Sequence, residues 1–287
     1  MNGRVGFVGI GQMGAAIARR YAIAGGGGSV FDVDPRKMGA AAAYGLVPYK
    51  SLAALAADCT SLVFCLPSPE TSASCIHELI AAPGMVQAVI ETSTVGCATV
   101  RDAEMRLNQA NLEFLDAPVS GGPRGATLTS IIAGGGEAKA RTLQTVALYS
   151  DRIVDCGDEA GRAQTAKLVN NALSLGTLAL ACEVVAAGVR QGLDLATLVE
   201  VINASSGRCV ATEEKFARSI VPGTFDHGAS IATAEKDMSL FIADCAPESL
   251  VPTTHRLLQD WREAGRSFGP DADFTRIFQL AVSRSVS

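Results

Sequence analysis

No C-x-x-C pair occurs among the eight cysteines, which stand at 59, 65, 75, 97, 156, 182, 209 and 245. Most lie inside apolar runs such as Leu62-Val63-Phe64-Cys65, so they read as buried, reduced thiols of a cytosolic protein and not as a disulfide framework. The three histidines, His77, His227 and His255, show neither H-x-x-E-H nor H-x₃-H spacing, and no metal site is expected. No basic segment followed by an apolar stretch and a cleavage site marks the N-terminus, so no signal peptide is read there. The longest apolar region, Ala172 to Val189, is interrupted by Glu183 and rich in alanine and glycine. It reads as a buried helix, and no membrane partner is expected. Positive charge is also short: 24 lysines and arginines face 29 acidic residues, a net −5 at pH 7. That balance argues against nucleic acid or an anionic membrane as a partner.

What the chain has instead is apolar bulk. It runs to 287 residues, 48 % hydrophobic and 18 % charged. The length favours two domains and a core large enough to need no disulfide or metal. Part of the apolar excess is expected in a subunit interface, making the protein a homo-oligomer, dimer or tetramer.

Strand-like and helix-like stretches alternate through the first half, the pattern of a parallel α/β sheet. Strands are read at Arg4 to Val8, Ser29 to Asp32, Ser61 to Leu66, Val86 to Glu91, Glu113 to Asp116, Leu128 to Ala133 and Arg152 to Asp155. Helices are read at Gln12 to Ala24 and Glu137 to Tyr149. After Cys156 the strand signals stop. One long helix is predicted over Gly161 to Gln191, then helices over Asp194 to Ala204, Ala211 to Ser219, Ile231 to Cys245, Thr253 to Ala264 and Asp273 to Val282. Asp194 and Asp273 are placed to cap theirs.

Gly9-Ile10-Gly11-Gln12-Met13-Gly14 is a G-x-G-x-x-G between the first strand and helix. Its glycines allow a tight turn and close approach of a pyrophosphate, whose charge the helix N-terminus stabilises. The second strand ends in Val30-Phe31-Asp32, where a carboxylate can accept hydrogen bonds from the adenosine ribose. Together these predict a Rossmann-type doubly wound sheet over residues 1–160, followed by an all-helical domain over 161–287. Asp32 favours NAD, because a carboxylate repels a 2′-phosphate, although Arg36 and Lys37 close by could offset that and leave NADP open. Leu66-Pro67-Ser68 and Ser93-Thr94 end strands at the sheet edge where ligands bind; by spacing alone they are also ordinary turns.

Asp116-Ala117-Pro118-Val119-Ser120-Gly121-Gly122 reads as a strand-end loop whose Ser120 hydroxyl and glycine N–H groups suit a carboxylate, or as a plain turn. Lys167 and Asn171, four apart, share a face of the long helix. Surrounded by Ala163, Thr165, Ala166, Leu168 and Val169, Lys167 is either a partly desolvated proton carrier or a surface lysine.

The ordered set GIGQMG, FDVDP, CLPS, ETSTV, DAPVSGGPRGATL, GRAQTAKLVNN and AEKDMSL resembles the β-hydroxyacid dehydrogenase family through essentially the whole chain. That family includes 3-hydroxyisobutyrate dehydrogenase, tartronate semialdehyde reductase and the larger 6-phosphogluconate dehydrogenases. The resemblance implies hydride transfer between NAD(P) and a small 3-hydroxy acid or its semialdehyde or keto partner. It implies that Gly9, Ile10, Gly11, Gln12, Met13, Gly14 and Asp32 hold the adenosine half of the cofactor, with Leu66, Pro67 and Thr94 toward the nicotinamide. Ser120, Gly121 and Gly122 would bind the substrate carboxylate. Lys167 would be the general acid/base and Asn171 would position substrate or lysine. Lys236, supported by Asp237, would reach the cofactor, unless it is a surface ion pair.

Two features depart from the family pattern. The G-x-G often found before the lysine is Gly161-Arg162-Ala163, and Arg124 adds a cation to the substrate loop, for a second carboxylate, a phosphate or solvent. The short helical half disfavours a 6-phosphogluconate-type decarboxylation. NADPH-dependent semialdehyde reduction, imine reduction and a non-catalytic dinucleotide-binding scaffold are the competing readings.

Overall fold

The computed structural model describes residues 4–122, 127–245 and 252–284. The chain divides into two compact units, residues 1–167 and 168–287. The expected boundary near 160 lies before this division because the first turn of the long helix is bonded into the first unit, as shown below.

In the first unit, β1 (Val5–Val8), α1 (Gln12–Ile23), β2 (Gly28–Phe31), α2 (Pro35–Ala42), β3 (Val47–Pro48), α3 (Leu52–Ala56), β4 (Ser61–Phe64), α4 (Pro69–Ala81), β5 (Ala88–Glu91), α5 (Cys97–Gln109) and β6 (Glu113–Asp116) follow in order. The strands form one six-stranded sheet in the order β3-β2-β1-β4-β5-β6, parallel throughout. All four residues of β1, β4 and β5 are buried, as expected for strands covered on both faces, and they read as near-continuous apolar runs apart from Ser61 and Glu91. Strand order reverses between β1 and β4, which opens the ligand crevice of such sheets beside the C-terminal end of β1.

Three helices of this unit start on side-chain caps. Asp34 accepts from Arg36 N–H (3.1 Å), Ser51 from Ala54 N–H (3.1 Å) and Ser68 from Thr71 N–H (3.2 Å), satisfying N–H groups that a helix start leaves open. β3 escaped the sequence reading because it is two exposed residues, one of them proline, on the sheet edge.

A second sheet, β7 (Val119–Ser120), β8 (Thr129–Ile132) and β9 (Arg152–Asp155), is joined to the first at the end of β6. Asp116 N–H donates to Ala133 O at 3.0 Å, and Ala133 N–H to Asp116 O at 2.8 Å. β7 and β8 run antiparallel, β8 and β9 parallel, and α6 (Gly136–Tyr149) covers them. Val119 and Ser120, expected in a loop, therefore lie on a strand.

The long helix α7 (Arg162–Arg190) leads into the second unit. There α8 (Leu195–Asn203), a π-helical segment (Ala211–Ile220), α9 (Ile231–Cys245), α10 (Pro252–Phe268), a 3₁₀ turn (Phe274–Arg276) and α11 (Ile277–Ser283) follow. Asp194 and Asp273 cap α8 and the 3₁₀ turn, accepting from Thr197 N–H (2.9 Å) and Thr275 N–H (3.0 Å). Leu178, Cys182, Phe216, Ile231, Met238, Trp261 and Ala264 are fully buried in the core of this unit.

One expectation needs correcting. α7 buries Leu175, Leu178, Ala179, Cys182, Val185 and Ala186, yet Val169, Leu173, Leu180 and Val184 are 49–72 % exposed. Spaced by four, seven and four, these form a single apolar stripe. By length and composition alone the helix also meets the requirements of a membrane span. The chain itself covers one face of it.

Candidate functional site

The glycine turn between β1 and α1 has a separate steric demand at each glycine. Gly9 has φ +88°, and a Cβ there would stand 2.3 Å from Cys65 O; a Cβ on Gly14 would stand 2.0 Å from Gly9 O. These two let backbone pack on backbone. A Cβ on Gly11 would meet nothing within 4 Å, so this glycine faces open space. Unlike α2, α3 and α4, α1 carries no side-chain cap at Gly11, leaving its first N–H groups for an anion. An open cradle beneath an uncapped helix start fits a dinucleotide pyrophosphate. Gln12, the first residue of α1, is exposed, while Met13 packs on the core of this unit.

Asp32 is 6 % exposed, and both of its oxygens are engaged. Oδ2 accepts from Ile10 N–H at 2.7 Å and Oδ1 from Asp34 N–H at 2.8 Å. Its role within the fold is to tie the end of β2 to the glycine turn. The outer acid is Asp34, which grips Arg36 through Nε (2.9 Å) and Nη2 (2.9 Å). These bonds hold the Asp34 carboxyl down to about 2. Lys37 Nζ stands 3.6 Å from Asp32 Oδ1.

At the ends of β4, β5 and β6 a buried polar network replaces the ordinary turns. Leu66 N–H donates to Ser93 Oγ at 2.7 Å, and Ser93 N–H to Glu91 Oε1 at 3.0 Å. Ser72 Oγ donates to Glu91 Oε2 at 2.5 Å. Pro67 is exposed and Thr94 half-buried beside this network.

Glu91 and Asp116 are neighbours across β5 and β6, both without exposed surface. Burial is the main cause of their raised pKa values, about 7 for Glu91 and about 6 for Asp116. Asp116 Oδ2 accepts from Gly161 N–H (2.9 Å) and Gln164 N–H (3.2 Å), while Oδ1 accepts from Gln164 Nε2 (2.9 Å). Gln164 Nε2 also donates to Ser93 O (3.1 Å), and its Oε1 accepts from Val95 N–H (3.0 Å) and Gly96 N–H (3.1 Å). The first turn of α7 is thereby bonded to the sheet's C-terminal edge. Lys167, half-buried, follows Gln164 by three positions and so shares its face.

Ser120 is half-buried at the end of β7, with Gly121 (φ +138°) and Gly122 (φ +70°) after it. A Cβ on Gly121 would strike Thr127 O at 2.1 Å, whereas one on Gly122 would meet no described residue within 4 Å. Arg124 lies outside the described residues.

Within the second unit, Asn171 Nδ2 donates to Asp237 Oδ2 at 2.7 Å, and Asn170 Nδ2 donates to Asn171 Oδ1 at 3.2 Å. Lys236 Nζ pairs with Asp237 Oδ1 at 3.0 Å. Both readings of Lys236 thus meet in one carboxylate: Asp237, 5 % exposed, orients the Asn171 amide and the Lys236 ammonium together.

Sequence reasoning gave no role to Glu91 or Gln164, and placed Asp116 at a strand end without seeing its bonds to the long helix. An acid closing the apolar run Ala88-Val89-Ile90 is a signal available for Glu91. Gln164 offers none, since its partners lie 48 to 71 positions away.

Two family models match the chain. One, described as the NAD binding domain of 6-phosphogluconate dehydrogenase, covers residues 4–157. The other, described as NAD-binding of NADP-dependent 3-hydroxyisobutyrate dehydrogenase, covers 161–281. The chain is 31 % identical to a mitochondrial 3-hydroxyisobutyrate dehydrogenase of Drosophila melanogaster, across 99 % of this chain and 90 % of that protein. It is 30 % identical to 2-(hydroxymethyl)glutarate dehydrogenase of Eubacterium barkeri, across 87 % and 84 % respectively. The solved structure of Mycobacterium tuberculosis 3-hydroxyisobutyrate dehydrogenase with L-serine has the same fold, with a TM-score of 0.85 and 24 % identity over 99 % of this chain and 100 % of that one.

The Glu91 carboxyl makes stability depend on pH. Its folded pKa, about 7, lies above the ordinary 4.5. Its contribution is therefore full below the ordinary value and is lost as pH rises through about 7. Glu91→Gln can keep both hydrogen bonds while removing the titration. The Tm of the variant minus that of the wild type should climb between about pH 5 and about pH 8 by thermal unfolding; a flat difference would remove the buried titration.

Proposed function

Because the chain belongs to the family of 3-hydroxyisobutyrate and 6-phosphogluconate dehydrogenases, NAD(P)-dependent enzymes acting on hydroxy acids, we propose that it interconverts a small 3-hydroxy acid and its semialdehyde or keto form with Lys167 as general acid/base. The observation that carries this reading is the Asp116–Gln164 network, which fixes the start of α7 and with it the lysine one turn later. The bound nicotinamide supplies or accepts the hydride. During reduction the Lys167 ammonium gives a proton to the carbonyl oxygen; during oxidation the neutral amine takes the hydroxyl proton. Ser120 Oγ and the N–H groups of Gly121 and Gly122 receive the substrate carboxylate. Asn171, its amide oriented by Asp237, positions the substrate, and Lys236 serves the cofactor. Gly9, Ile10, Gly11, Gln12, Met13, Gly14, Asp32, Leu66, Pro67 and Thr94 line the dinucleotide.

NAD is the preferred cofactor in this reading. Arg36, the guanidinium that a 2′-phosphate would recruit, is held by Asp34 through two bonds. NADPH-dependent semialdehyde reduction would use the same catalytic residues. The free thiols among the described residues suit a reducing compartment such as the cytoplasm. The apolar stripe Val169, Leu173, Leu180 and Val184 is assigned to contact with a second copy of the chain, since an exposed row of this kind is rarely left to water.

Three outcomes test the proposal. Lys167→Ala should lower turnover on the order of 10²- to 10⁴-fold while NADH binding, followed by fluorescence, is retained; near-normal turnover would take Lys167 out of the mechanism. Asp34→Ser keeps a helix-capping hydroxyl and frees Arg36 for charge-assisted bonds to phosphate. The ratio of NADH to NADPH dissociation constants should move toward NADPH by about tenfold, roughly 1.4 kcal/mol, and an unchanged ratio refutes the clamp. Sedimentation should find a dimer or larger assembly, dissociated by the double substitution Leu173→Glu with Leu180→Glu. A wild-type monomer overturns the assignment.

A further inference from the structure

One ammonium group in the helical unit has no part in the scheme above. Lys215 lies on the π-helical segment with 6 % of its surface exposed. Its Nζ donates to Ser174 Oγ across a long 3.3 Å and stands 5.9 Å from the centre of the Phe274 ring. No carboxylate of the described residues is ion-paired with it; Glu214, the acid beside it in sequence, is exposed. Burial pushes the Lys215 amine down from its ordinary range, opposed by Glu214 and the nearby thiols of Cys209 and Cys182.

A methionine would fill the same space among Phe216, Phe274 and Cys182 without the cost of stripping water from a charge. An ammonium in that position gains most when an anion arrives to neutralise it. Ten residues of π-helical bonding, including Val221 N–H to Phe216 O at 2.8 Å, surround it, and widened turns of this kind gather at functional sites.

Its location identifies the anion. Ser174 follows Asn171 by three positions on α7, on the same face and about 4.5 Å further along the axis. The amide oriented by Asp237 and the Ser174–Lys215 pair are thus successive polar stations on one face of one helix. We propose that Ser174 and Lys215 form a second anion subsite, so that the preferred substrates are hydroxy acids carrying a further carboxylate. This rests on the hydroxy-acid reading above for the substrate's reacting end, but not for the presence of the subsite.

The test compares 2-(hydroxymethyl)glutarate with 3-hydroxyisobutyrate on the wild type and on Lys215→Met, with NAD. The wild type should favour the dicarboxylate, and the variant should lose about tenfold of that preference in kcat/KM, through KM more than kcat. Glutarate, which has no hydroxyl to oxidise, gives a second readout by calorimetry. It should bind the wild-type holoenzyme, and bind more weakly to Lys215→Met and to the milder Ser174→Ala. If the wild type turns over neither acid yet binds glutarate through Lys215, the hydroxy-acid reading fails and the subsite stands. If glutarate does not bind the wild type, or binds all three proteins equally, or the preference between the two acids is the same in variant and wild type, the subsite is overturned. Should Lys215→Met not fold, Ser174→Ala carries the same comparisons.

Discussion

A single carboxyl group, that of Asp116, holds the start of α7 to the sheet. Three donors from the turn and first residues of the helix converge on it, and the Gln164 side chain it accepts from reaches on to Ser93, Val95 and Gly96. A helix start ordinarily leaves N–H groups to water. Here the N–H groups of Gly161 and Gln164 are satisfied by a strand end, so the first turn of α7 is hydrogen-bonded to the parallel sheet of its own unit. Because every member of the network is buried, loosening one partner would strand the others without water to replace it. The proton-transfer role assigned to Lys167 depends on this rigidity, since general acid–base catalysis requires the carrier within hydrogen-bonding reach of the reacting oxygen.

Two aspartates stand at the opposite end of the proposed cofactor site. Asp32 is inward, spent on the backbone of Ile10 and Asp34; Asp34 is outward and gripped on Arg36. The first gives the glycine turn its shape, and the second controls which charge the loop shows. The acidic position that motif spacing selects thus also shapes the turn, and the proposed cofactor preference draws on its neighbour two residues later.

Much of this was legible in the sequence. Strands such as 61–64 and 88–91 announced themselves because a strand covered on both faces is largely apolar, here Leu62-Val63-Phe64 and Ala88-Val89-Ile90. The glycine turn, the helical second half and the capping aspartates at 194 and 273 were equally plain, each being a local pattern. What escaped reading was non-local. β3 and β7 are two-residue strands defined by pairing partners and not by their own composition. Gln164 looks like any helical glutamine until residues some 70 positions away supply its bonds. The long helix read as buried, but sequence hydrophobicity does not say how much of it the same chain covers.

The chain has one tryptophan, and it is fully enclosed in the helical unit, stacked at 6.3 Å on the same Phe274 ring that Lys215 overlies. The first unit contains no indole at all. Light absorbed at the red edge of the protein spectrum is therefore taken up in the helical unit alone, a single aromatic ring away from the buried amine. The molecule carries its own optical reporter for that half, with the dinucleotide-binding half silent in the same channel.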